Sequence, residues 1–101
     1  MNIAVIDIGS NSVRYALYGG EPFVQKELNT TVLADGLFLS GRLKQDAIDR
    51  TTNAVALFCE KARQRNAQAI YAFATEAIRA AENGKEAVKA IESRANVHVE
   101  V

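Results

Sequence analysis

The sequence has a single cysteine, Cys59, so no disulfide can form within the chain and no cysteine cage can hold a metal. A reducing, cytoplasmic location fits. It also has no excess of charge of either sign. Its 12 basic and 12 acidic residues leave a formal net charge of zero, and no charge block marks a nucleic-acid or membrane surface. Anion binding must therefore be local. The longest apolar runs fall far short of the roughly 20 residues that span a bilayer. No basic n-region or cleavage-like segment precedes the first apolar run, so no secretory leader is expected. Repeats, linkers and low-complexity tracts are also missing. What is there is a chain of 101 residues, 49% hydrophobic and 24% charged. That suits one domain of modest stability.

Residues 1–8 (MNIAVIDI) form a nearly continuous apolar run that ends at an acid and a glycine. This predicts a central strand buried on both faces. A turn at 9–12 and a second strand at 13–18 make an antiparallel hairpin. Residues 23–33 are a third strand, polar enough to be an edge, and 34–43 read as a loop. A long helix is predicted from about 45 to 65, with Ile48, Thr51, Thr52, Val55, Cys59 and Ala62 as its inner stripe. A fourth strand covers 68–74 and a short helix 75–81, with Asn83-Gly84 as its stop. A helix at about 85–95 and a fifth strand at 97–101 complete the order β-β-β-α-β-α-α-β. Helical crossovers imply parallel strands. The expected result is an α/β fold with a mixed five-stranded sheet of ribonuclease H-like, actin-like order.

Two segments can carry chemistry. In Asp7-Ile8-Gly9-Ser10-Asn11-Ser12, an acid ends a buried strand, which is costly unless something pairs with it. A divalent cation would do so. Gly9 allows close backbone approach, and the N–H groups of Ser10, Asn11 and Ser12 can form an anion nest. The same residues also suit an ordinary hairpin turn. A strand follows instead of a helix, so this is not a P-loop. In Thr75-Glu76-Ala77-Ile78-Arg79, Thr75 is a good helix N-cap. Arg79 sits one turn in, against the helix dipole, and calls for a nearby anion or a partner such as Glu76 or Glu82. Parallel first and fourth strands would bring both segments to one edge of the sheet, where open α/β sheets bind ligands.

AVIDIGSNSVR, LADGLFLSGRLKQDAIDRT and AFATEAIRAAENG, in this order and spacing, resemble the exopolyphosphatase / guanosine pentaphosphate phosphatase family of the actin-like superfamily. The resemblance covers essentially the whole chain and implies an incomplete first lobe, its N-terminal part. By this resemblance, Asp7 would bind Mg²⁺ or another divalent cation. Gly9, Ser10, Asn11 and Ser12 would form the first phosphate loop, and Arg79 would contact a substrate phosphate. Polyphosphate or a phosphorylated guanosine nucleotide would be the substrate of the complete enzyme. The family's catalytic glutamate lies in a Ser-Gly-Glu-Glu-Glu-like segment, which is not reached by Val101, so no general base is expected within these residues. Lys44 departs from the Ser or Thr helix cap common in the family.

Two other functions fit the residues. One is a sugar-kinase-like or ATPase member of the same superfamily, and the other is a non-catalytic interaction module. Cys59 reads as core. His98 reads as a sheet-surface residue, and Tyr15, Tyr18, Tyr71 and Phe73 as packing. Arg14 is equally a strand residue and a candidate for function. The terminal strand is expected to fray, and self-association could bury apolar surface near it.

Overall fold

The computed structural model describes residues 2–19 and 25–101. Strands β1 (Ile3–Ile8), β2 (Val13–Tyr18) and β3 (Gln25–Asn29) are followed by a short helix α1 (Leu37–Ser40) and the long helix α2 (Gln45–Gln64). Then come β4 (Ala69–Ala74), α3 (Glu76–Ala80), α4 (Gly84–Ala95) and β5 (Val99–Glu100). The five strands form one sheet in the order β3-β2-β1-β4-β5. β1 pairs antiparallel with β2 and parallel with β4. β3 is an antiparallel edge on β2, and β5 is a parallel edge on β4.

The two amphipathic helices explain which side of the sheet is covered. On α2 the predicted stripe Ile48, Thr51, Thr52, Val55, Cys59 and Ala62 is buried. On α4, Ala87, Ile91 and Ala95 are buried, with Val88 half-buried beside them. The two helices pack on each other. They share one core with Ala4, Ile6 and Ile8 of β1, Val13, Tyr15 and Leu17 of β2, and Ala72 and Ala74 of β4. Each fully buried aliphatic side chain there contributes about 1.5–3 kcal/mol. Tyr15 stacks on Phe58 with ring centroids 5.0 Å apart, and burial pushes its phenol pKa up. Burial also pushes the Cys59 thiol up, in keeping with an inert core cysteine.

The opposite face is open, and this corrects the expectation for β1. Its burial alternates, with Ile3, Val5 and Asp7 only half-buried. The continuous apolar run disguised a one-sided strand. Tyr18, Leu28, Tyr71 and Phe73 are exposed, and Val5, Ala16, Leu28 and Phe73 line a shallow cavity on this face. Only Tyr15 of the four predicted packing aromatics is core.

Other boundaries also move. The third strand is shorter than 23–33: Phe23 and Val24 lie outside the described residues, and β3 is exposed throughout. Thr31 and Leu33 are instead buried beyond its end, where the Thr51 hydroxyl meets the Thr31 hydroxyl at 3.1 Å. The loop predicted for 34–43 contains α1. Asn83-Gly84 does not stop α3 but opens α4: Asn83 is the N-cap position and Gly84 the first helical residue. The fifth strand keeps only Val99–Glu100 of the expected 97–101. His98 is exposed and lies between Glu92 and Glu100. No helix among the described residues is long and apolar enough to cross a membrane.

Candidate functional site

Because β1 and β4 are parallel, with Ile8 beside Ala74, the turn after β1 and the helix after β4 leave the same edge of the sheet. Gly9 N–H donates to the Ser12 carbonyl at 3.0 Å and closes the turn. The carbonyls of Ser10 and Asn11 accept from the backbone N–H groups of Ala34 and Val32, each at 2.9 Å. In a trans peptide the C=O and the next N–H point in opposite directions. The N–H groups of Asn11 and Ser12 are therefore aimed away from the 32–34 segment. Together with that of Ser10, they find no acceptor among the described residues.

These groups border a cavity of about 330 Å³ lined by Asp7, Gly9, Ser10, Asn11, Ser12, Arg14 and Thr75. Asp7 Oδ1 is buried, with no hydrogen-bond partner among the described residues. Arg14 stands directly across the hairpin from Asp7. It makes no ion pair among the described residues. The cavity thus gathers outward N–H donors, an unpaired guanidinium and one orphaned carboxylate oxygen. That combination suits an anion, with a cation beside the acid. No group of three or more His, Cys, Asp or Glu among the described residues is placed to hold a metal. Any ion held by Asp7 would need the remaining ligands from a bound phosphate or water.

Thr75 occupies the N-cap position of α3, but its side chain makes no capping bond; it lines the cavity instead. Arg79 does not line this cavity. It borders a second groove, between α3 and α4, and pairs with neither Glu76 nor Glu82. Arg14 is the lining residue that the sequence left undecided. The signal was the short turn, which sets position 14 opposite position 7.

The segments that carry the family resemblance are bonded to one another. The turn at 9–12 rests on 32–34, and the chain then passes through α1 to Gly41–Leu43. There the Gly41 carbonyl accepts from Glu82 N–H at 2.9 Å. Leu43 N–H donates to Asn83 Oδ1 at 2.8 Å, and Asn83 Nδ2 donates back to the Leu43 carbonyl at 3.0 Å. Lys44, at the N-cap of α2, makes no capping bond and reaches Asp35 instead, at 3.4 Å.

This frame stores strain at Val32, a β-branched residue with φ 50°. A left-handed conformation costs an L-residue about 1–2 kcal/mol and is easier for Asn. Val32→Asn is therefore expected to raise the urea midpoint, by about 1 kcal/mol in stability. An unchanged or lower midpoint would show that the exposed Val32 side chain contributes more than its backbone costs.

Residues 16–101 match the profile of the Ppx/GppA phosphatase family. The chain belongs to that family. The turn at 9–12 precedes the matched span, but individual relatives cover it. An uncharacterised protein of Streptomyces coelicolor is 30% identical over 101 residues, which is 96% of this chain and 30% of that protein. Exopolyphosphatase 1 of Mycobacterium tuberculosis is 27% identical over 99% of this chain and 30% of its own length. The solved Ppx/GppA phosphatase of Aquifex aeolicus superimposes with a TM-score of 0.92 at 30% identity, covering all of this chain and 35% of that one. The sheet and its helices are thus those of the Ppx/GppA actin-like ATPase fold, as expected from strand order. The chain spans about a third of the length of these Ppx/GppA relatives.

Proposed function

We propose that residues 1–101 are the N-terminal, phosphate-binding part of a phosphoanhydride hydrolase. The complete enzyme would release the terminal phosphate of inorganic polyphosphate or of guanosine pentaphosphate, in the cytoplasm. The observation that carries this reading is the cavity after β1. Three successive N–H groups, at Ser10, Asn11 and Ser12, lack an acceptor there beside the unpaired Arg14. The name of the mycobacterial relative supports polyphosphate as the substrate class.

In this reading the Gly9–Ser12 turn holds phosphate oxygens through its N–H groups, and Gly9 keeps the backbone close. Arg14 offsets the anion's charge from the neighbouring strand. Asp7 would hold Mg²⁺, because its orphaned Oδ1 is a buried oxygen that lacks a partner. Mg²⁺ commonly binds through one or two carboxylates plus substrate phosphates. When bound, the ion would supply positive charge to the transferred phosphoryl group. Arg79 would contribute from α3, at the same edge of the sheet. The general base would come from residues following Val101.

An amide NMR titration with inorganic phosphate and Mg²⁺ tests the reading. The largest shifts are expected at residues 9–12, with weak affinity. Asp7→Asn should fold at least as well as the parent, since a half-buried unpaired charge is removed, and should lose the Mg²⁺-dependent part of those shifts. Shifts at 9–12 no larger than elsewhere would end the proposal.

A further inference from the structure

Arg50, on α2, is linked to the turn at 9–12 through two peptide groups. Its Nε–H donates to the Thr31 carbonyl at 3.0 Å. That carbonyl and the Val32 N–H belong to one peptide, and the Val32 N–H donates to the Asn11 carbonyl at 2.9 Å. The Asn11 carbonyl and the Ser12 N–H again share one peptide. In a trans peptide these two groups point in opposite directions. A line of hydrogen bonds therefore runs from the guanidinium through Thr31–Val32 and Asn11–Ser12. It ends at the Ser12 N–H, which has no acceptor among the described residues and borders the cavity after β1. The neighbouring link has no such start. There the Ala34 N–H donates to the Ser10 carbonyl at 2.9 Å, but the Leu33 carbonyl, on the same peptide as that N–H, accepts no hydrogen bond among the described residues.

A cationic donor polarises the peptide it binds, and hydrogen bonds in a chain strengthen one another. Both peptides in this line have their N–H end toward the cavity. The effect at Ser12 therefore has the sign that favours an anion. Orientation matters as well. Thr31 is buried, and Val32, at φ 50°, is in a conformation that persists only where its surroundings over-determine it. Bonds at both ends of the Thr31–Val32 peptide supply that constraint, from Arg50 at the carbonyl and Asn11 at the N–H. Arg50 is itself held by Asp46, with Nη1 3.3 Å from Oδ2, which leaves Nε for Thr31. Thr51 anchors the same residue by another route. Its hydroxyl donates to the Thr31 hydroxyl at 3.1 Å and leaves the peptide untouched.

We propose that Arg50 is a positioning residue for the anion site: it aims and polarises the Ser12 N–H through two peptide groups, without touching the anion. This rests on the reading that the turn at 9–12 binds phosphate. The test combines amide NMR of the ligand-free chain with an orthophosphate titration. In Arg50→Met the amide protons of Val32 and Ser12 should move upfield before any phosphate is added. Those of Ala34 and Asn11, on the parallel link, should move less. Orthophosphate binding should weaken by about threefold or more. Arg50→Gln puts an uncharged Nε2 donor where the arginine Nε stood, so it keeps the bond to Thr31 and the fold. It should show the same upfield pair, to a smaller extent, and lose less affinity than Arg50→Met. Thr51→Val should lower the urea midpoint and leave the Ser12 amide and the phosphate affinity unchanged. An unmoved Ser12 amide in both Arg50 variants would overturn the proposal, as would an equal loss of affinity in Thr51→Val. Parental affinity in Arg50→Lys, with Arg50→Gln as weak as Arg50→Met, would show a charge acting through space and would overturn it too. If the parent chain shows no phosphate shifts at 9–12 while the Ser12 amide still moves in Arg50→Met, the link stands and the phosphate reading of the turn fails. Phosphate shifts at 9–12 that Arg50→Met leaves unchanged would do the reverse.

Discussion

Phosphate release from polyphosphate or guanosine pentaphosphate by the 101-residue chain, with Mg²⁺ present, should lie far below that of a longer family member. Loss of a general base alone removes about 10²–10⁴-fold in rate. Loss of opposing groups that stabilise the transferred phosphoryl charge should remove at least about as much again. The cavity after β1 offers one acid, Asp7. The chain spans only about a third of its relatives, so the remaining groups have to come from elsewhere. The measurement compares phosphate release by this chain with release by a protein extended through the residues that follow. Turnover within about tenfold of the extended protein, abolished by Asp7→Ala, would refute the expectation. An acid within the chain, such as Glu76, would then have to act as the base.

Gly84→Ala should be among the most destabilising single substitutions in the chain. A Cβ at Gly84 would sit 1.9 Å from the Ile78 carbonyl oxygen and 3.0 Å from its carbonyl carbon. These are backbone atoms of α3, so no side-chain rotation can relieve the clash. Overpacking of this kind costs about 3 kcal/mol, the upper part of its usual range. In a domain of this size that lowers Tm by roughly 12–24 °C. Gly41→Ala provides the contrast. Its φ of 76° strains an alanine, but the nearest atom to a new Cβ is Glu82 Oε1 at 3.9 Å. Only the left-handed penalty of about 1–2 kcal/mol applies there. Equal midpoints for the two variants in urea would show that α3 and α4 separate freely. Forcing that junction apart also pulls Asn83 from Leu43 and so loosens the frame beneath α1. The Gly84→Ala variant should therefore show weaker shifts in the phosphate titration wherever it remains folded.

The sequence by itself determined the features that local periodicity encodes. The stripe on α2 is legible because 3.6-residue spacing places Ile48, Val55, Cys59 and Ala62 on one side of any helix that forms there. β3 is legible as an edge because Lys26, Glu27 and Asn29 could not be buried in a sheet. The turn at 9–12 is legible because its residue types suit a tight bend. Tertiary structure decided what depends on contacts between distant positions. A run such as IAVIDI does not reveal that both packed helices lie on one side and leave Val5 and Asp7 on the open face. Asn83-Gly84 carries the same residue types as a helix stop. It became a helix start because Leu43, 40 residues away, supplies both hydrogen bonds to Asn83, and because Gly84 alone allows α4 to approach Ile78. Arg14 stands opposite Asp7 through strand register, while Arg79 borders a separate groove through the packing of α3 on α4. Short windows carry the propensity of each element, but the face it buries and the neighbour it meets are set only when the elements pack.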